Sequence, residues 1–172
     1  MKIEPHLEPM RRYARVLTRQ ASDADDLVQG ALLRAYERRA QFREGGNLRL
    51  WLMSILHNHF IDMKRSDQSL RAREADWAGL NPGFAPSAGE EAARLAQLRT
   101  AFLALPEEQR SALHLVGVER LTIAEAAELL AVPAGTIMSR VGRARAALKR
   151  FEDGEPRVQP GRPTLTVIEG GS

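Results

Sequence analysis

The sequence predicts an all-α protein: two small helical domains joined by a flexible linker, the second containing a helix-turn-helix. Three observations carry this. Apolar residues recur at steps of three and four, and no segment before the C-terminal tail alternates with period two over four or more residues. The stretch from Asp76 to Gly89 gathers Gly, Pro and Ser without periodicity, as linkers do. Near residue 122 a short capped helix, a break and a basic second helix follow one another.

In the first block, Leu7, Met10, Ala14 and Leu17 form one helical stripe. Leu27, Val28, Ala31, Leu32 and Ala35 form a second, after a Ser22/Asp23 start signal. A third runs through Leu48, Trp51, Leu52, Ile55, Leu56 and Met63 from an Asn47 cap, with His59 inside the stripe. Gly45-Gly46 reads as the turn before it. In the second block Leu95, Leu98, Phe102 and Leu105 line one helix, and Pro106-Glu107-Glu108 opens the next with proline at its first position and acids in its first turn. Thr122-Ile123-Ala124-Glu125 is a capping box that starts a helix facing inward through Ile123, Ala126, Ala127 and Leu130. Ala131 to Gly135 break it, and from Thr136 a second helix buries Ile137, Val141, Ala144, Leu148 and Phe151. The expected domains are residues 1–66 and 91–151, with a linker at 67–90. A tail at 152–172, rich in Gly and Pro, is expected to be disordered, and its Leu165-Thr166-Val167-Ile168 is a candidate docking strand. Each domain has roughly 60 residues, so stability is expected to be modest or partner-assisted.

Composition narrows the function. The 172 residues hold 25 Lys and Arg against 22 Asp and Glu, a net charge of +3, and no cysteine. Disulfides and thiolate chemistry are excluded, and no apolar run is long enough to cross a bilayer, so membrane insertion is not expected and a cytoplasmic protein is. So small a net charge does not announce nucleic acid, but its distribution does. Residues 1–66 carry an excess of +4, and the run from 135 to 150 holds Arg140, Arg143, Arg145, Lys149 and Arg150 with no acid. Phosphate fingerprints, zinc motifs and catalytic triads are absent, so neither an enzyme nor a cofactor is expected. His57 and His59 diverge by about 200° on a helix and cannot share a metal ion.

On a helical wheel the outward face of the last helix presents Met138, Ser139, Gly142, Arg143, Ala146, Lys149 and Arg150. A basic face on the second helix of a helix-turn-helix points to duplex DNA. Arg140 and Arg143 are assigned to base edges or adjacent phosphates, and Lys149 and Arg150 to phosphates. In the first block Asp26, Gln29, Leu33 and Glu37 face outward, and the exposed leucine makes this a candidate protein-docking spot. Phe42, Arg43 and Asn47 flank the glycine turn, where an unstacked base has room. His57, Asn58 and Arg65 lie on the outer sides of the third helix.

These residues resemble the extracytoplasmic-function (ECF) class of bacterial sigma factors. Asp25-Asp26-Leu27-Val28-Gln29 and Leu33-Arg34-Ala35-Tyr36 are similar to the family's segment that docks on the clamp helices of RNA polymerase. Asn47-Leu48-Arg49-Leu50-Trp51-Leu52 and Ile55 to Asp62 resemble its promoter-melting and minus-ten-reading segment. Leu105 to Arg110, Ala124-Glu125-Ala126-Ala127 and Val132 to Arg140 resemble its minus-thirty-five-reading domain. The pattern of Pro5-His6-Leu7, Leu56-His57-Asn58 and Met138-Ser139-Arg140 is most similar to alphaproteobacterial members, some of them general stress regulators.

The resemblance implies recruitment without chemistry. Core RNA polymerase (its beta-prime clamp and beta flap), promoter DNA and an anti-sigma factor are the implied partners, and the linker would thread toward the polymerase channel. Asp25, Asp26, Gln29, Leu33 and Glu37 become the docking face for polymerase or anti-sigma factor. Phe42, Arg43, Asn47, His57, Asn58 and Arg65 become the minus-ten and melting set; Met138, Ser139, Arg140, Arg143, Lys149 and Arg150 become the upstream set. Gly30 departs from the family's usual acid and costs helix stability. Two other readings remain: a sigma-like module that sequesters an anti-sigma protein, and a stand-alone helix-turn-helix regulator.

Overall fold

The computed structural model describes residues 2–18, 20–71 and 89–153, with the side chains at 68–71 and 90 left aside. Most of the expected linker and the tail beyond Asp153, with its candidate docking strand, lie outside the described residues. Among those described, helices are the only regular elements. They are α1 (Glu4–Thr18), α2 (Ala21–Glu37), α3 (Leu48–Arg71), α4 (Glu90–Leu103), α5 (Glu107–Leu113), α6 (Ile123–Leu130) and α7 (Ala134–Glu152). A short 3-10 turn covers Arg39–Gln41, and one π turn, His114–Val118, prolongs α5.

Helices α1, α2 and α3 pack on one another, as do α5, α6 and α7, with α4 against α7. The two groups do not stay apart. Helix α1 also meets α5, and α3 meets α6, so one continuous hydrophobic core runs from Met10 and Leu56 to Leu115 and Ile137. This explains where the buried sides are wider than the sequence stripes. Tyr13, Val16 and Met53 are buried although no stripe includes them. Tyr13 stacks on His114, and the Val16 carbonyl accepts a hydrogen bond from Arg110. Met53 follows Arg49, an interbundle residue, by one turn on the same side.

Several boundaries and faces differ from the expectations. Helix α2 starts at Ala21 after Gln20, whose side chain makes no cap; the Ser22 hydroxyl donates instead to the neighbouring Asp23. Helix α3 continues to Arg71, past the expected end of the first domain at 66. Pro106 precedes α5 rather than opening it, and α7 begins at Ala134, two residues early, because Pro133 holds a suitable dihedral for its N-cap. Within α6 the buried residues are Ala126 and Leu129, with Ile123, Ala127 and Leu130 half-buried. Leu95, Met63 and Phe151, placed inward by periodicity, are exposed; of these Phe151 lies at the last turn of its helix.

Local chemistry explains the turns. Gly45 takes φ +80°, a left-handed conformation that glycine adopts without strain. Asn47 caps α3, its Oδ1 accepting from the Leu50 N–H at 3.1 Å. The capping box of α6 is complete: Glu125 N–H donates to Thr122 Oγ1 at 3.1 Å, and Thr122 N–H to Glu125 Oε2 at 2.9 Å.

Gly30 has a packing reason. A β-carbon at this position would overlap the imidazole of His59 on α3, so the missing side chain lets the two helices close. Gly30→Ala gains about 1 kcal/mol of helix propensity and loses about 1–3 kcal/mol to overpacking. Its melting temperature is expected to fall; a rise would show that the ring swings aside freely.

Candidate DNA-reading and protein-docking faces

The outward face of α7 is formed as its wheel requires. Met138, Ser139, Arg143, Lys149 and Arg150 are exposed, and Ile137, Val141 and Ala144 hold the opposite side in the core. A β-carbon at Gly142 would meet open space. The Ser139 hydroxyl donates back to the Thr136 carbonyl at 3.0 Å, which leaves its lone pairs outward. Arg140 is the exception. Its Nη2 donates to Glu108 Oε2 at 2.7 Å, and its side chain is only 17% exposed. The partner carboxylate is 70% exposed. Surface pairs of this kind contribute about 0–1 kcal/mol.

The residues assigned to the first block's DNA face are divided. Arg43, Asn58 and Arg65 are exposed. Phe42 is half-buried, tilted 50° against Trp51 with ring centroids 5.2 Å apart. Asn47 uses its carbonyl oxygen as the α3 cap and donates its amide to Glu125 Oε1 at 3.3 Å. His57 must be corrected. Its ring turns inward, with Nδ1 3.0 Å from the Tyr13 hydroxyl, because the second bundle covers that side of α3. Burial lowers its pKa to about 4, with Glu107 opposing and Arg140 assisting, so the ring is neutral and offers no cation to DNA.

The docking face on α2 is exposed throughout: Asp25, Asp26, Gln29, Leu33 and Glu37 all reach solvent, Leu33 being 61% exposed. Tyr36, three residues on and 60% exposed, enlarges the apolar spot, and the Arg39 guanidinium lies over its ring at 4.3 Å.

Sequence reasoning missed a polar cluster between the bundles. Glu119 is 1% exposed, and its carboxylate receives Arg12 from α1, at 3.1 and 3.2 Å, and Arg49 from α3. His114 Nε2 lies 3.2 Å from Glu119 Oε1 in a geometry too bent for a good hydrogen bond. Burial pushes the Glu119 carboxyl up, but Arg12, His114 and Arg49 together outweigh it and hold the pKa below the usual glutamate range. Arg110, also 1% exposed, donates from Nε to the Val16 carbonyl at 2.7 Å and from Nη1 to the Leu103 and Leu105 carbonyls. Nothing local in the sequence marks this cluster, since its members come from both ends of the chain.

The cluster sets an acid limit. Burial lowers His114 to about 4, against the pull of Glu119, and His57 likewise sits at about 4 beside the ordinary 6.5. As pH falls below 6.5 the unfolded chain takes up these protons first. Stability is therefore complete above about pH 6.5 and declines toward pH 4, by on the order of 1.4 kcal/mol per pH unit for each histidine inside that window. Urea denaturation at about pH 7.5 and about pH 5 measures it; equal stabilities would show that the rings are not held neutral.

A helix-turn-helix with an exposed basic recognition face, joined to a bundle with its own acidic and apolar docking face, defines a DNA-binding adaptor of transcription. Among the described residues no group of metal-type ligands gathers, and no helix is long and apolar enough to cross a membrane. Residues 3–57 match the model of the sigma2 domain of PhyR, and residues 95–148 that of sigma-70 region 4. The chain is 38% identical over 168 residues to the ECF RNA polymerase sigma factor EcfG of Rhodopseudomonas palustris, covering 94% of this chain and 90% of that one. It is 35% identical to the ECF sigma factor SigM of Mycobacterium tuberculosis, over 85% of this chain and 72% of the relative. The solved structure of the sigma factor RpoE with the anti-sigma factor NepR from Bartonella quintana superposes with a TM-score of 0.71 at 28% identity, over 88% of this chain and 94% of that one. The chain belongs to the ECF RNA polymerase sigma factors.

Proposed function

We propose that this sigma factor divides its work between the two bundles: residues 1–66 hold core polymerase and read and open the minus-ten element, and residues 91–151 read the minus-thirty-five element. The single observation that carries the upstream assignment is the exposed face of α7, where Arg143, Lys149 and Arg150 stand clear around an unobstructed Gly142. Arg140 joins them once a phosphate displaces Glu108, and Met138 and Ser139 border the same face. Arg43, Asn58 and Arg65, with Phe42 beside them, supply the minus-ten surface, and Asn47 supports it by capping α3.

Asp25, Asp26, Gln29, Leu33 and Glu37 meet the beta-prime clamp, and the second bundle meets the beta flap. An anti-sigma factor competes for the α2 face; support comes from the exposed Leu33 and Tyr36 pair and from the relative solved with NepR. The protein supplies positioning while polymerase performs the chemistry, so it is not itself an enzyme, and this role places it in the cytoplasm.

Sequestration of an anti-sigma protein is the second reading, favoured by the match of residues 3–57 to a PhyR domain. Run-off transcription with purified core polymerase separates the two. Promoter-specific transcripts are expected; capture of an anti-sigma protein without transcripts would establish the second reading instead.

A further inference from the structure

An apolar groove stays open on the surface of the second bundle. It runs between α4 and the last turn of α7, has a volume of about 880 Å³, and is lined by Leu95, Leu98 and Phe151 with Glu91, Arg94 and Glu152 around them. Leu95 is 63% exposed and Phe151 43%, although the period of each helix places both inward. Leu98, one turn on from Leu95, is half-buried. Large apolar side chains gathered at an exposed cleft mark an interaction site.

The chain itself carries a fitting occupant. Helix α7 ends at Glu152, on the groove, so the residues from 154 onward leave the bundle beside it. Their main apolar run is Leu165-Thr166-Val167-Ile168, bracketed by Arg162 and Glu169. The roughly 12 residues from Asp153 to Thr164 reach about 40 Å when extended and about 20 Å as a coil, so the run returns over the groove without strain. Glu91 to Leu98 covers about 11 Å of α4, and four extended residues cover about 13 Å. Three β-branched neighbours, Thr166, Val167 and Ile168, favour an extended backbone, in which Leu165 and Val167 face the same side. The charges are complementary: the groove carries Glu91, Glu152 and Arg94, and the run is flanked by one base and one acid.

We infer that Leu165–Ile168 docks in the groove between α4 and α7 as an intramolecular strap, with Leu165 and Val167 against Leu95, Leu98 and Phe151. Its tether holds it at an effective concentration of about the millimolar range, so little intrinsic affinity is required. Seated there, the strap covers Leu95 and Phe151 and braces the last turn of α7, next to Lys149 and Arg150. It also competes with apolar segments of other proteins for the same groove. The contact lies within the chain and is independent of the division of labour proposed above.

The chain has no cysteine, so Ser172→Cys takes a single nitroxide label on the full-length protein. Paramagnetic relaxation enhancement is then read at the leucine methyls by NMR. Leu95 and Leu98 are expected to broaden strongly, and Leu33 on α2 to stay sharp. Leu165→Asp with Val167→Asp, both beyond α7, removes the anchors while leaving the helices untouched. If the docked form drops from about nine-tenths to about a tenth, enhancement at Leu95 and Leu98 falls about fivefold or more. Unchanged enhancement in that variant would overturn the proposal.

Leu95→Asp tests the contact from the groove side. Leu95 is exposed, so the core keeps its packing, and enhancement at Leu98 is expected to fall by a similar factor. An unaltered Leu98 signal would place the tail elsewhere and overturn the proposal. Mixing a spin-labelled chain with a methyl-labelled chain that carries no spin label distinguishes a strap from a swapped pair. Broadening is expected only within a chain; equal broadening between chains would assign the groove to the tail of a second copy and overturn the strap.

Discussion

Arg143→Ala is expected to reduce promoter-specific initiation by roughly 5- to 150-fold, the equivalent of the about 1–3 kcal/mol that a specific base contact contributes. The guanidinium stands exposed on the outer face of α7, one residue past the open position at Gly142, while the neighbouring Ala144 anchors the helix in the core. Truncation therefore removes no internal contact, and circular dichroism and melting temperature should stay as they were. Arg145→Ala, exposed on the same helix but outside the assigned set, is the useful comparison. Equal losses in both variants would point to a diffuse electrostatic role, and unchanged initiation by Arg143→Ala would remove the residue from the reading face.

Arg110→Ala is expected to produce the largest loss of stability, about 3–5 kcal/mol, read as a lower urea midpoint. This side chain is buried, yet it carries a full charge and donates to the carbonyls of Val16, Leu103 and Leu105. The last two belong to the bend between α4 and α5, where a chain reversal leaves acceptors that no helix can satisfy. Its removal strands those carbonyls and opens a cavity at once. Arg110→Met restores most of the volume but no donor, so it should recover only part of the loss. Full recovery by methionine would mean that packing alone matters there.

These two residues show what a single chain discloses. Arg143 was found from periodicity, because the helix it sits on obeys a local rule and its charge has to point away from Ile137, Val141 and Ala144. In the sequence Arg110 stands out only as the end of a stretch that resembles a family motif. Its partner Val16 lies 94 positions away, and Glu119 is 107 positions from Arg12. Long-range polar pairing leaves no periodic trace, so the cluster between the bundles was invisible. The misread sides of α1 and α3 have the same origin: Tyr13, Val16 and Met53 are buried beside the second bundle, which a stripe fitted to one block cannot register. His57 was misplaced for this reason too. Helix ends shifted where the actual cap was a backbone conformation, as at Gln20 and Pro133, rather than a side chain that the sequence advertises. The α2 face and the capping box were legible because both depend on residues within a few positions of one another.

Gly142 bears on how such a protein diverges. A β-carbon there would meet open space, so the fold does not require glycine at this point on the outer face of α7 beside Arg143, and replacing it also favours the helix by up to about 1 kcal/mol. A lineage can therefore try asparagine, glutamine or arginine at this position and acquire preferences for new base pairs without first securing compensating mutations in the core. Regulon content would then drift through one codon, while the scaffold that carries it stays fixed.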